Sequence, residues 1–143
     1  MTGPLHGIRV VEVASVITGP WAASLLADQG ATVIKIEAPG GDIMRASGHL
    51  RNGVGSWFVN LNRGTRSIVV DLTTEDGLAI AHTLVAEADV FIENWRPGVA
   101  ERLGLGPADL AAINPELIHA SVTGFGHTGP LAGARAYDPT VQG

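Results

Sequence analysis

"IRVVEVASVITGPWAASLLADQGATVIKIEA", residues 8–38, is the stretch that decides the fold of this chain. Residues 8–14 and 31–38 are short and rich in β-branched side chains, so each predicts a strand. Between them, Pro20 suits the first turn of a helix, and Gly30 is typical of the position just beyond a helix end. Two strands that bracket one helix form a βαβ unit, whose strands pair in parallel through a right-handed crossover.

The rest of the chain alternates strands and helices in the same way. Further strands are predicted at residues 66–72, 89–94 and 117–126, and helices at residues 74–88, 98–103 and 107–113. Thr73 or Thr74 would cap the first of these helices. The alternation predicts an α/β fold, a Rossmann-like layered domain with a mostly parallel sheet, formed by residues 1–143.

Residues 39–62 interrupt this alternation. They contain two consecutive glycines, several polar residues and an isolated apolar pair, Trp57 and Phe58. We expect a long excursion over the surface, and a loop of this length in a compact domain is usually functional or packs as its own unit.

The composition excludes several classes of protein. A net charge of -5 argues against nonspecific nucleic-acid binding, which needs a basic surface. Because there is no cysteine, disulfides, thiolate catalysis and cysteine-ligated metals are excluded. The amino terminus lacks a signal-peptide pattern, and no apolar run approaches the ~18 residues that span a bilayer. We therefore predict a cytoplasmic protein that binds neither nucleic acid nor membrane.

The five histidines show no spacing typical of metal ligands, so we predict no metal site. His82 lies within a predicted helix and His119 within a predicted strand, where a satisfied structural role is expected. His127, in a glycine-rich loop, is the one histidine whose position suggests a functional role.

Three unusual side chains, Asn94, Trp95 and Arg96, follow the predicted strand at residues 89–94. In parallel sheets, ligands bind beyond the carboxyl ends of the strands. An indole can stack on an adenine and a guanidinium can pair with phosphate, so the trio suggests a nucleotide site, with Arg102 near by. The alternative is structural: a turn asparagine, a core tryptophan and a solvated arginine. The glycine-rich motifs of dinucleotide dehydrogenases and P-loop enzymes are absent.

Six motifs carry a resemblance that covers residues 4–143. They are "PLHGIRVVEVASVITGP", "LLADQGATVIKIEAPGGD", "NRGTRSIVVDL", "ADVFIENWRPGVAERLGLG", "NPELIHASVTGFGHTGP" and "YDPTVQG". In this order the chain resembles the class III CoA-transferase family, which includes formyl-CoA transferase, carnitine CoA-transferase and the related alpha-methylacyl-CoA racemase. The resemblance implies coenzyme A, carried as acyl-CoA, as the substrate.

The resemblance also implies a site in three parts. The adenine and phosphates of CoA would be held by Asn94, Trp95, Arg96 and Arg102. Near by would lie Ile17, Thr18, Val70, Asp71, Leu72 and Thr73. Near the pantetheine and thioester would lie Arg135, Ala136, Tyr137 and Asp138.

This chain departs from the family pattern at several of these positions. Formyl-CoA transferase has glutamine at the position of Ile17, a basic residue at that of Ala38 and lysine at that of Thr73. Formyl-CoA and oxalate are therefore less expected as substrates. The racemase branch has a catalytic histidine at the position of Tyr137, and a tyrosine is a poor general base near neutral pH, which favours the transferase branch.

The activity that the resemblance implies is movement of CoA between an acyl-CoA and a carboxylic acid. Members of the family are much longer, their catalytic aspartate lies beyond residue 143, and they form interlocked homodimers. We therefore expect the N-terminal CoA-binding part of a transferase: a fragment, a truncated gene product or one half of a split enzyme. The alternatives are a racemase-like enzyme and a CoA-binding module without catalysis.

Overall fold

The computed structural model describes residues 3–142, and the outermost residues of the domain predicted over 1–143 lie outside that range. In chain order the elements are β1 (Arg9–Glu12), α1 (Thr18–Asp28), β2 (Thr32–Glu37), a 3₁₀ helix (Ile43–Ala46), β3 (Leu50–Arg51), β4 (Val54–Gly55), α2 (Ser56–Leu61), β5 (Arg66–Val69), α3 (Glu75–Ala86), β6 (Val90–Glu93), α4 (Val99–Arg102), α5 (Pro107–Ile113), β7 (Ile118–Ser121) and α6 (Asp138–Gln142).

The central sheet has five strands in the order β5-β2-β1-β6-β7, and every neighbouring pair is parallel. The order reverses at β1, which pairs with β2 on one side and β6 on the other. In open α/β sheets a crevice forms at such a reversal, outside the carboxyl ends of the strands. The predicted α/β, Rossmann-like fold is confirmed.

The core lies on both faces of this sheet, because neighbouring residues of a strand point to opposite sides. Val11 belongs to the larger apolar cluster, with Phe91 and Val85, whereas Val10 belongs to a second cluster with Val33 and Ile92. Burial on both faces explains why the central strands β1, β2 and β6 are mostly apolar in sequence, whereas the residues of the edge strand β5 are exposed.

The helix boundaries follow from local signals. Gly30, two residues after α1, has a φ of +102°, a conformation that glycine adopts without strain. The cap of α3 is Thr74 rather than Thr73, because the Thr74 side-chain oxygen accepts a hydrogen bond from the Gly77 N–H at 3.1 Å.

Residues 42–61, which we call the hairpin segment, are more regular than the predicted surface excursion. They form the 3₁₀ helix, the β3–β4 hairpin and α2. Arg45 stacks on the Phe58 ring at 3.8 Å, and the Leu61 carbonyl accepts a hydrogen bond from the buried Ser24 hydroxyl at 2.6 Å. The segment thus packs as its own unit and is attached to α1. Elements this short leave little periodicity in a sequence.

Across residues 3–142, none of the helices combines the length and the apolar character needed to cross a bilayer.

Candidate functional site

A cavity of about 400 Å³ opens beyond the carboxyl ends of β1, β2 and β5. Its volume falls within the range of roughly 300–1,000 Å³ that is common for small-molecule sites. Four adjoining residues predicted for the site, Val70, Asp71, Leu72 and Thr73, form one part of its wall, and Trp95 forms another. The structure therefore brings together two segments that are distant in sequence.

Trp95 is half-buried and packs against the larger core cluster while its side chain also lines the cavity. Its backbone N–H donates a hydrogen bond to Glu93 Oε2 at 2.6 Å. Both readings of Trp95 from sequence are thus compatible with its position, because the residue packs against the core cluster and also lines the cavity.

Asn94 connects β6 to the turn between β1 and α1. Its Oδ1 accepts a hydrogen bond from Ser15 N at 3.0 Å, and its Nδ2 donates to Ser15 O at 2.7 Å and to Thr18 Oγ1 at 3.3 Å. These bonds place Ile17 and Thr18 beside the end of β6. They also hold Val16, which has a φ of 69°, a costly conformation for a β-branched residue.

Arg96 and Arg102 are both exposed near the start and the end of α4. Gly98 caps this helix with a φ of 83°, and a Cβ built there would lie 3.6 Å from Arg102 Nη1. The Arg102 guanidinium therefore lies over the turn that begins directly after Arg96. Two cations flank the Trp95 side of the sheet edge.

The segment that contains Arg135, Ala136, Tyr137 and Asp138 lies at the other edge of the sheet. A Cβ built on Gly124, in the loop after β7, would lie 2.0 Å from Ala136 Cβ, so the two backbones are in close contact. β5 and β7 are four strand spacings apart, about 19 Å. A compact ligand therefore cannot touch both this segment and the cavity wall formed by Val70 to Thr73, whereas an extended ligand can.

A buried cluster of charges that sequence reasoning missed lies beneath the cavity. Lys35 Nζ lies 3.1 Å from both carboxylate oxygens of Glu12, 3.1 Å from Asp42 Oδ2 and 2.8 Å from the Ala14 carbonyl oxygen. Burial raises the pKa of Glu12 to about 7, against the attraction of Lys35. The signal for this cluster was a lysine inside an apolar strand, because a buried cation needs a partner.

A second carboxylate, Glu37, is held as an anion beside this cluster. Burial opposes its ionisation, but hydrogen bonds from Arg45, Ser67 and the Asp42 N–H outweigh burial and lower the Glu37 pKa to about 2. Arg45 donates from Nε at 2.7 Å and from Nη2 at 2.6 Å, which is a bidentate pair. The charged side chains near the cavity floor are thus paired with one another, Lys35 with Glu12 and Asp42, and Arg45 with Glu37.

Three of the five histidines lie in different environments. His82 Nε2 lies 3.0 Å from the Gly104 carbonyl oxygen, so the structural role predicted for it is confirmed. His119 packs against Phe91 in the sheet, as a structural role requires, but its buried Nε2 makes no hydrogen bond with any described residue, so the expected satisfaction of this nitrogen is not seen. His127 Nε2 lies 2.9 Å from Ser121 Oγ in an exposed loop. Among residues 3–142, no three acidic or histidine side chains converge in a way that could hold a metal ion.

Comparison with known proteins identifies the family. The sequence profile of CoA-transferase family III matches residues 5–143. The chain is 48% identical to succinate–glutarate CoA-transferase of Agrobacterium fabrum, over 98% of this chain and 37% of that protein. It is also 48% identical to acetyl-CoA:oxalate CoA-transferase of Acetobacter aceti, over 98% of this chain and 36% of that protein.

A solved structure agrees with this assignment. The crystal structure of a CAIB/BAIF family protein from Brucella suis superposes with a TM-score of 0.95 at 46% identity, over 99% of this chain and 39% of that one. The chain thus spans little more than a third of the length of the relatives it matches. It belongs to CoA-transferase family III.

Proposed function

We propose that this chain supplies the CoA-binding part of an enzyme that moves CoA between an acyl-CoA and a carboxylic acid. The observation that carries the proposal is the cavity of about 400 Å³ between Trp95 and the segment from Val70 to Thr73. It lies where ligands bind in open parallel sheets, in a chain 48% identical to two CoA-transferases.

The cavity suits the adenine of CoA better than its phosphates. Its wall includes the indole of Trp95, on which a base can stack, and apolar side chains such as Ile43 and Leu103. Lys35 also lines the cavity, but it is engaged by Glu12 and Asp42. An uncharged base therefore fits this cavity, whereas a phosphate would find Lys35 already paired with Glu12 and Asp42.

In this proposal the phosphates lie outside the cavity, the 3′-phosphate at the exposed rim beside Thr73 and the diphosphate toward Arg96 and Arg102. Both arginine side chains are exposed, and an arginine can bind phosphate oxygens with two parallel hydrogen bonds. The backbone at Ile17 and Thr18 lies next to this side, because Asn94 holds that turn beside β6. The Asn94 side chain itself is occupied by Ser15 and Thr18, so we assign it to positioning this turn.

The thioester end of an extended CoA would point along the sheet edge toward Arg135, Ala136, Tyr137 and Asp138. We assign no acyl-accepting nucleophile to this chain. The nucleophilic carboxylate belongs, in this proposal, to the remainder of a full-length protein that contains this domain. That carboxylate would attack the thioester, release CoA as its thiolate and leave a mixed anhydride for the next transfer.

We further propose that the complete enzyme is an interlocked homodimer in the cytoplasm. Large apolar side chains are half-exposed on α1 and α2, namely Trp21, Leu25, Trp57 and Val59. Such surfaces commonly mark protein–protein contacts. Light scattering of the full-length protein would test the assembly, and a monodisperse monomer would rule out the dimer.

The CoA site is tested by Trp95→Ala and Arg102→Ala in the full-length protein that carries this chain. Loss of stacking should weaken CoA binding by ~1–3 kcal/mol, and the loss caused by Arg102→Ala should shrink as salt rises. Arg9→Ala, at the amino end of β1 and so away from the cavity, is the matched control for Arg102→Ala. Normal CoA affinity in both folded test variants, measured by calorimetry, would show that CoA does not bind at the carboxyl end of β6.

The activity is tested by assaying the same protein with an acyl-CoA and a panel of free carboxylic acids. Exchange of CoA between them supports the transferase, whereas epimerisation of a 2-methylacyl-CoA would support the racemase branch. Binding of CoA without any turnover of these substrates would favour a binding module and count against the transferase.

A further inference from the structure

Glu93 is a buried carboxylate that the proposed CoA site does not use. It ends β6, the strand between β1 and β7, and only 2% of its surface is exposed. The next two residues are Asn94 and Trp95. A carboxylate kept out of water needs hydrogen bonds or a cation to compensate for lost hydration.

The two oxygens of Glu93 face different groups. Oε2 accepts the hydrogen bond from the Trp95 backbone N–H at 2.6 Å. Oε1 lies 3.9 Å from His119 Nε2, the buried nitrogen that has no hydrogen-bond partner among the described residues. The carboxylate therefore lies between the Trp95 N–H, which it binds, and a histidine on the neighbouring strand, which it faces without a hydrogen bond.

Besides Glu93, the aromatic ring of Phe91 lies close to the His119 side chain. The imidazole ring is tilted against Phe91, with the ring centroids 5.4 Å apart. Burial is the main cause that lowers the pKa of His119, and His127 on the following loop lowers it further, whereas Glu93 on β6 and Glu101 on α4 oppose the shift. A neutral imidazole beside Glu93 leaves the Trp95 N–H as the only hydrogen bond of the carboxylate among the described residues.

We propose that Glu93 is a positioning residue, which fixes the Trp95 backbone so that the indole faces the cavity. This inference rests on the proposed function, because it assumes that Trp95 contacts the adenine. The hydrogen bond from Trp95 N–H to the Glu93 carboxylate fixes the plane of the Asn94–Trp95 peptide group, from which the Trp95 side chain projects. Glu93 thus acts on CoA through Trp95 and does not touch it.

The test compares Glu93→Leu with Glu93→Gln in the full-length protein. Glutamine keeps an oxygen that accepts from Trp95 N–H and an amide that can donate to His119, whereas leucine keeps only the approximate size. The two ligands are CoA and 4′-phosphopantetheine, which lacks the 3′-phosphoadenylate part of CoA and therefore the adenine. A general structural defect would weaken both, and loss of indole positioning would weaken CoA alone.

We expect Glu93→Leu to weaken CoA binding at least about fivefold, the lower end of a lost stacking contact, and to leave 4′-phosphopantetheine unchanged. Glu93→Gln should stay within about twofold of the wild type for both ligands. Equal losses for the two ligands would overturn the inference, and so would unchanged CoA affinity in Glu93→Leu.

Trp95→Ala in the same assay separates this inference from the proposed function. If Trp95→Ala weakens CoA and Glu93→Leu does not, the CoA site stands and the positioning role is wrong. If Trp95→Ala has no effect, the adenine site itself is wrong and the inference falls with it.

A second measurement decides the matter if Glu93→Leu does not fold. Selective ¹⁵N labelling of tryptophan gives backbone amide signals that include those of Trp21, Trp57 and Trp95. Replacing the carboxylate with an amide weakens the hydrogen bond, so Glu93→Gln should move the Trp95 amide proton upfield and leave the signals of Trp21 and Trp57 in place. An unmoved Trp95 signal would refute the bond on which the inference depends.

Discussion

Glu37 illustrates how single residues decide the charge beneath the cavity. Although the side chain is buried, its oxygens accept hydrogen bonds from Arg45 at 2.7 and 2.6 Å and from the Asp42 N–H at 2.8 Å. These donors favour the anion more strongly than burial disfavours it, so the pKa falls to about 2. The carboxylate attaches the hairpin segment to β2 as long as it stays ionised.

Glu37→Gln should change the acid stability of the protein. A folded pKa of about 2, below the value of 4.5 for the free side chain, means that the stabilisation is present above pH 4.5 and is lost as the pH falls toward 2. The shift corresponds to about 3 kcal/mol at neutral pH. The variant should be less stable at pH 7, and its urea-unfolding curves should converge with the wild type near pH 2.

The control for this prediction is Glu87→Gln, which removes an exposed partner of Arg9. Exposed pairs contribute little, so its stability should follow the wild type at every pH. A constant difference between Glu37→Gln and the wild type from pH 7 to pH 2 would contradict the assigned pKa.

Thr73→Lys should strengthen binding of CoA but not of dephospho-CoA, which lacks the 3′-phosphate. In the wild type this wall of the cavity carries Asp71, whose carboxylate accepts hydrogen bonds from Thr73 N at 3.0 Å and from Thr73 Oγ1 at 2.6 Å. A lysine adds a cation there, and an exposed ion pair should give about a two- to fivefold gain that salt reduces. Calorimetry at two salt concentrations measures it.

Thr83→Lys, on the exposed part of α3, adds the same charge away from the cavity. An equal gain in this control, or an equal gain for dephospho-CoA, would show that the effect is general attraction rather than a phosphate contact.

At the scale of elements, the turn between β5 and α3 joins fold and site. The Asp71 carbonyl oxygen accepts hydrogen bonds from Thr74 N at 3.2 Å and Thr74 Oγ1 at 2.8 Å, and Thr74 caps α3. Gly77 lies so close that an added Cβ would be 1.9 Å from the same oxygen. The start of the helix and the wall of the cavity therefore share one tightly packed backbone.

Gly77→Ala should displace this turn and affect both properties. The clash is with backbone, so the helix or the turn must move, at a cost of about 1–3 kcal/mol in stability. Because the displaced residues line the cavity, CoA affinity should also fall. Thermal unfolding and calorimetry measure the two effects. Gly133→Ala is the control, since an added Cβ there meets nothing within 4 Å; identical behaviour of the two variants would refute the packing argument.

For the whole molecule, the important division lies between the sheet and the hairpin segment, residues 42–61. Asp42 attaches this segment in three ways. Its Oδ2 pairs with buried Lys35 at 3.1 Å, its Oδ1 accepts from Met44 N at 2.9 Å, and its N–H donates to Glu37. One residue thus connects the cap of the 3₁₀ helix to β2.

Asp42→Ala should let the hairpin segment open independently of the sheet. Removing one partner of a buried pair costs about 3–5 kcal/mol, and that loss should fall on the segment because β1 and β2 keep their own ladder. Hydrogen exchange should accelerate in residues 42–61 and stay slow in the strands. Asp28→Ala, which removes an exposed partner of Arg63, is the control; uniform acceleration throughout the protein would contradict a separate unit.

The candidate site was predicted in part because the carboxyl ends of strands can be located from sequence. Trp95 and the residues from Val70 to Thr73 follow β6 and β5 directly, and parallel strands end at one edge. The charges beneath them were not predicted, since Glu12 and Lys35 meet only after β1 and β2 pair. Nothing in the local pattern identifies the partner of a buried charge.

The sequence by itself determined the strand–helix alternation, the α/β class, the end of α1 close to Gly30 and a start of α3 at Thr73 or Thr74. These depend on periodicity, backbone freedom and capping, which are properties of neighbouring residues. Only the tertiary structure decided that Asn94 holds Ser15, that Glu93 faces His119 and that the hairpin segment packs as a unit. Those contacts depend on the order of strands in the sheet, which brings together residues that are far apart in the chain.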